Sequence, residues 1–130
     1  MTAAGAAPIL FAEPENRGAA LSAFETLAER KHARVEEIRA GVAVLRGLLA
    51  DYGAAHGGRF WLYGSAVTDR LRFDSDVDLL VDFPQEQATQ AVDFVEAECA
   101  RLRLEADVQS KAWCKEGFLK RVAATAVVIP

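Results

Sequence analysis

The chain has little of what usually marks a metal cluster, a covalent framework or a membrane anchor. It has two cysteines, Cys99 and Cys114, and two histidines, His32 and His56. Two scattered cysteines build neither a disulfide scaffold nor a zinc site, so both read as small core residues. The histidines lie far apart without ligand-like spacing and read as surface positions of a helix. No apolar run approaches the roughly 18 residues that a membrane span needs. The apolar stretch from Ala3 to Phe11 has no basic leader and contains Pro8, which makes it a poor signal peptide and points to a cytoplasmic protein. No Gly-Lys-Ser or Gly-Lys-Thr step occurs, which excludes a P-loop. Basic charge is short as well. Fifteen Lys and Arg against 19 Asp and Glu leave a net charge of −4, which argues against general binding to nucleic acid. A nucleotide ligand stays open, because local charge and metal can override the sum.

What is present suits one globular domain. The 130 residues are 52% hydrophobic and 26% charged, enough for a single core without staples. Residues 1–15, with Pro8 and Pro14, have no period and read as a flexible arm. From about Asn16 the pattern turns helical. Leu21, Phe24, Ala28, Val35, Ile38, Val42, Leu45, Leu49 and Tyr52 follow steps of three and four, with Lys31 interrupting. This predicts either one long helix or two that break near Arg30-Lys31-His32. Its apolar face would pack on a sheet or form a seam for a partner or a second copy. Gly53 and Gly57-Gly58 end the helix. The spacing then predicts strands over 59–63 and 77–83, a helix over 87–101, a strand over 102–108, a helical turn over 117–123 and a last strand over 126–129. That order is an α/β arrangement with one mixed sheet flanked by helices.

Chemistry concentrates in one run, from Tyr63 to Val81. A Gly64-Ser65 step stands ten residues ahead of Asp76-Val77-Asp78, and an apolar Leu79-Leu80-Val81 follows. Side chains alternate along a strand, so Asp76 and Asp78 emerge on one face, roughly 6.6 Å apart. Like charges side by side in an apolar strand are costly without a cation between them. The pair is therefore a candidate site for a hard divalent ion, which takes carboxylate oxygens and completes its shell with water and phosphate. Asp107, central in the next strand, is the best third carboxylate, with Glu105 as the fallback on the same face. Gly64 lets the backbone approach an anion closely, and the Ser65 hydroxyl adds a donor. Trp61 and Tyr63 read as sheet core and rim.

This Gly-Ser, ten-residue, Asp-x-Asp, Leu-Leu-Val pattern resembles the signature of the DNA polymerase β-like nucleotidyltransferase superfamily. The small size is most similar to its minimal nucleotidyltransferase branch, whose members are often partnered with HEPN-domain proteins. The resemblance implies a small nucleotidyltransferase fold over residues 33–130, with 16–32 as an extra N-terminal helix. It implies that Gly64, Ser65 and Ser75 hold a nucleotide, usually ATP, and that Asp76 and Asp78 bind two Mg²⁺ with Asp107 completing the shell. The reaction implied is transfer of a nucleoside monophosphate to a hydroxyl, with pyrophosphate leaving. One segment departs from the pattern. Where members commonly carry Arg-x-Arg-Gly, this chain has Ala66, Val67, Thr68 and Asp69. Arg70 and Arg72 either replace the lost charge or are solvated loop residues.

Three functions fit these expectations. The first is a protein adenylyltransferase that is the antitoxin of a HEPN-type toxin–antitoxin pair. The second is a non-catalytic module that binds a partner through its N-terminal helix, its metal site vestigial. The third is an aminoglycoside-type nucleotidyltransferase with an acceptor pocket formed across a homodimer, held by Ile38 and Leu45.

Overall fold

Thr26 opens the first helix. Its hydroxyl accepts the Glu29 N–H at 3.0 Å, and the Glu29 carboxylate accepts the Thr26 N–H at 2.8 Å. This reciprocal cap satisfies two amide donors that a helix start leaves without partners. Helix α1 then runs unbroken over Leu27–His56. Of the two arrangements that the spacing allows around Arg30-Lys31-His32, the single helix is the one that forms. The structure, a computed structural model, describes residues 26–68 and 70–129. The expected arm over 1–15, residues 16–25 of the extra helix, and Asp69 lie outside the described residues.

Gly57 stops α1 with φ at 74°, a left-handed conformation that glycine adopts freely. The Gly57 and Gly58 N–H groups both donate to the Gly53 carbonyl, at 3.0 and 3.1 Å. The chain continues as β1 (Arg59–Tyr63), β2 (Val77–Asp82), α2 (Gln85–Arg101), β3 (Ala106–Ser110), α3 (Glu116–Ala123) and β4 (Val127–Ile129). One four-stranded sheet results, in the order β3-β2-β1-β4. Strand β1 is antiparallel to both of its neighbours, whereas β2 and β3 are parallel. A parallel pair needs a crossover, and α2 supplies it.

From Arg34 onward the described residues form one compact body. Within the compact body, Ile38, Val42, Leu45 and Leu49 of α1 and Ala91, Val95 and Cys99 of α2 bury one face of the sheet, where Phe60, Leu62, Val77, Leu79 and Val81 meet them. Tyr52 stacks on Phe94 with centroids 4.2 Å apart, closing one end of that layer. From Ile38 to Leu49 the apolar stripe of α1 is therefore spent inside the compact body, while Ala28 is exposed and Val35 half-buried. Ile38 and Leu45 are each 1% exposed, leaving no surface there for a second copy. Cys99 is in the core as expected, while Cys114 is only half-buried.

The third strand starts later than alternation suggests. The end of α2 consumes Leu102–Leu104: the Leu102 N–H donates to the Glu98 carbonyl at 2.9 Å, and the Leu104 N–H to the Cys99 carbonyl at 2.8 Å. Arg103 between them takes φ at 62°, and Leu104 is buried as a plug rather than as a strand residue. Among the described residues, no helix is long and apolar enough to cross a membrane.

Ser110 ends β3 opposite Val81 and points into the core at 1% exposure, its hydroxyl without a hydrogen-bond partner. An unsatisfied buried hydroxyl costs about 1 kcal/mol or more. Ser110→Ala is expected to raise stability by about 1 kcal/mol in urea unfolding; a loss of stability would show that the hydroxyl is satisfied in solution.

Candidate active site

Strand alternation that buries Val77, Leu79 and Val81 turns Asp78, Leu80 and Asp82 to the opposite face. Asp78 lies directly across from Tyr63 of β1 and from Asp107 of β3. The two carboxylates therefore stand in register on neighbouring strands, as the spacing predicts. Asp76 precedes the first residue of β2 and is exposed. Its charge still reaches Asp78. Burial first, then the Asp107 charge, then the Asp76 charge, pushes the Asp78 carboxyl above the usual carboxylate range. The same field extends to Tyr63, whose phenol is pushed up to about 12 by burial, then by Asp78, Asp107 and Cys114.

The two ends of β2 treat their acids differently. At Asp82, the Trp61 indole N–H donates to Oδ2 at 3.1 Å, and Arg59 Nε and Lys111 Nζ each approach to 3.6 Å. That acid is a structural node that ties β1, β2 and the turn after β3 together. Among the described residues, no Lys or Arg pairs with Asp76, Asp78 or Asp107. Asp107 accepts only the Gln109 amide N–H, at 3.2 Å on Oδ1. One strand thus carries a neutralised acid at one end and uncompensated acids at the other. Acids left unpaired in this way have room for an external cation as counter-charge.

Gly64 fixes how close the loop comes to these acids. It begins a 3-10 turn over Gly64–Val67, immediately after β1, with φ at 73°. A Cβ built there would lie 2.1 Å from Asp78 Oδ2, so any side chain at 64 would have to displace that carboxylate. Ser65 follows with its carbonyl accepting the Thr68 N–H at 3.2 Å and the Thr68 hydroxyl at 3.3 Å. The Gly-Ser step therefore adjoins the carboxylates, as the run from Tyr63 to Val81 suggests.

The other sequence candidates lie as follows around this pair. The Ser75 hydroxyl accepts the Arg72 N–H at 2.8 Å and shapes the turn entering β2. Arg72 pairs with Asp74 at 3.5 Å. Glu105 lies before β3 and contributes its carbonyl, which accepts the Val77 N–H at 2.7 Å. This backbone link sets the register that brings Asp107 to Asp78. His32 and His56 are exposed, and His56 stacks on Tyr52. Two contributors escape sequence reasoning: the Asp82 node, and Phe118 of α3, whose ring meets Tyr63 edge-on at 6.2 Å. Alternation on β2 places Asp82 on the acid face, but nothing in the sequence pairs it with Trp61 or marks Phe118.

The donor set suits Mg²⁺ in kind: hard carboxylate oxygens without thiolate or imidazole, on a face open to water and phosphate. Among the described residues, no three acidic, His or Cys side chains are already drawn into a cage. Such a site holds an ion by few protein ligands and leaves the rest of the shell to substrate, which is the habit of magnesium.

No protein of curated function matches the chain. The profile of the nucleotidyltransferase domain matches residues 43–127, from the middle of α1 to the first residue of β4. It spans the Gly-Ser turn and all three carboxylates, and on that match the chain belongs to the nucleotidyltransferase domain family.

Proposed function

We propose that this domain transfers AMP from ATP to a hydroxyl carried by a protein partner, a HEPN-domain protein, and so acts as the antitoxin of a toxin–antitoxin pair. The observation that supports transfer chemistry most directly is the in-register pair of Asp78 and Asp107, left without a basic partner while Asp82 on the same face has two. Asp76, Asp78 and Asp107 would hold Mg²⁺, which supplies neutralisation of phosphate charge and a more acidic acceptor hydroxyl. In the reaction the acceptor oxygen bonds to the α-phosphorus and the bond to the β-phosphate oxygen breaks. Pyrophosphate leaves with the electron pair, and the acceptor proton passes to a carboxylate, for which exposed Asp107 is placed best.

The cavity between α3 and the sheet, lined by Trp61, Leu80, Leu119 and Val122, is about 140 Å³ and includes none of the three carboxylates. A drug-sized molecule typically needs about 300 Å³ or more, so this cavity encloses no small acceptor beside them, whereas a protein acceptor needs no such enclosure. One observation favours the non-catalytic alternative: Ala66 and Val67 pack against the core, so the segment after Ser65 offers no cation to a triphosphate.

The test is incubation of the full chain with α-labelled ATP, Mg²⁺ and a candidate HEPN partner, comparing the parent with Asp76→Ala. Transfer predicts label on the partner that disappears in the variant. Tight partner binding without label from either protein would sink the enzymatic reading. Label on a small acceptor alone would favour the aminoglycoside-type alternative.

A further inference from the structure

The missing basic residues after Ser65 raise the question of where a triphosphate would find positive charge. Most cations near the acid face are already engaged. Arg59 and Lys111 are held by Asp82, Arg72 by Asp74 at 3.5 Å, and Lys120 by Glu116 at 3.7 Å. Arg121 makes no ion pair among the described residues. Its guanidinium carbon lies 6.0 Å from the centroid of the Phe118 ring, which itself meets Tyr63, the register partner of Asp78. Arg121 also lies beside Gly117, where a Cβ would make an ordinary contact with Nη1 at 3.8 Å. A contact chain of two rings thus joins an unpaired guanidinium to the uncompensated carboxylates. Among the described residues, no side-chain contact ties Arg70 to them.

We propose that Arg121 is the phosphate-binding cation of this domain, reaching the β- and γ-phosphates of the nucleotide from α3 in place of the basic residues that segment 66–68 lacks. The inference rests on the nucleoside triphosphate reading given above. Guanidinium is suited to the role, because its planar fork donates two parallel N–H groups to one phosphate and holds its charge at all working pH values. Cation–π contact with Phe118 positions the group without neutralising it. The carboxylates then engage metal from the sheet while Arg121 engages phosphate from the helix above it.

Calorimetric titration of ATP and of AMP into the full chain, at fixed Mg²⁺, tests the assignment on the parent, Arg121→Gln, Arg121→Lys and Arg70→Gln. Arg121→Gln is expected to weaken ATP binding about tenfold, the scale of one charge-assisted contact. AMP, which lacks the outer phosphates, should weaken less than about twofold, Arg121→Lys should fall between, and Arg70→Gln should match the parent. A merely structural role would lower both nucleotides together, and that result overturns the assignment. Unchanged ATP binding in Arg121→Gln, or a loss confined to Arg70→Gln, overturns it too while leaving the triphosphate reading intact. A parent that binds neither nucleotide overturns both. Should Arg121→Gln fail to fold, Arg121→Met keeps the stem over Phe118 and is judged by the same comparison.

Discussion

Asp78→Asn is expected to yield a folded protein that is more stable than its parent without metal, yet inactive in nucleotidyl transfer. The stability half follows from linkage. Burial and two neighbouring acids raise the Asp78 pKa in the folded chain, so the ionised carboxylate is worse placed there than in the unfolded chain. Its cost is absent below the ordinary carboxylate pKa, grows as pH rises toward the raised value, and is complete above it. Asparagine keeps the shape and removes the charge. The thermal midpoint of the metal-free variant should exceed that of the parent at pH 7, and the gap should close as pH falls toward 4. The activity half follows from the proposed role of Asp78 as the ligand between Asp76 and Asp107. Removal of one preorganised electrostatic group costs on the order of 10³-fold, or about 4 kcal/mol of transition-state stabilisation. Added Mg²⁺ should raise the parent's midpoint by mass action and the variant's much less. A variant within about fivefold of parental activity, well inside what a lost ligand costs, would remove Asp78 from the reaction.

The second large effect concerns a single methyl group. Gly64 and Gly57 share nearly the same left-handed backbone, at φ 73° and 74°, and alanine at either pays a similar conformational cost of about 1 kcal/mol. Their surroundings differ. The Cβ of alanine at 57 would meet nothing within 4 Å, whereas at 64 it would lie 2.1 Å from Asp78 Oδ2. Gly57→Ala should therefore lose about 1 kcal/mol and retain activity. Gly64→Ala should lose more stability and, by displacing the Asp78 carboxylate, on the order of 10²-fold in rate. Equal activity in the two variants would show that the close approach of turn and carboxylate is immaterial to transfer.

Residues that obey a simple period were the most legible from sequence. Arg59–Tyr63 is aromatic and apolar and bounded by glycines, and it forms the expected strand. Asp107 lies opposite Asp78 because the strand–helix–strand order forces a parallel pair, and the register is pinned by the Val77–Glu105 backbone bond. What escaped the sequence depends on contacts between distant segments. Leu102 and Leu104 alternate like a strand but finish a helix, because their amides are taken by carbonyls of the preceding turn. Ile38 and Leu45 fit a partner seam as well as a core stripe, and period alone cannot say which surface covers them. Asp78 and Asp82 have the same parity on one strand. Only the cations and the indole brought in by β1 and the turn after β3 separate a braced acid from an unpaired one.

The parallel pairing of β2 with β3 also dictates when the site can exist. Tyr63, Gly64 and Asp78 are joined across one antiparallel pair and a connecting loop, a comparatively local closure. Asp107 reaches Asp78 only after the whole of α2 has docked across the sheet between them. A chain emerging from synthesis, or one that has lost its crossover, keeps these acids apart. Until that pairing forms, Asp78 has no acid beside it on the neighbouring strand, and the proposed metal site is incomplete.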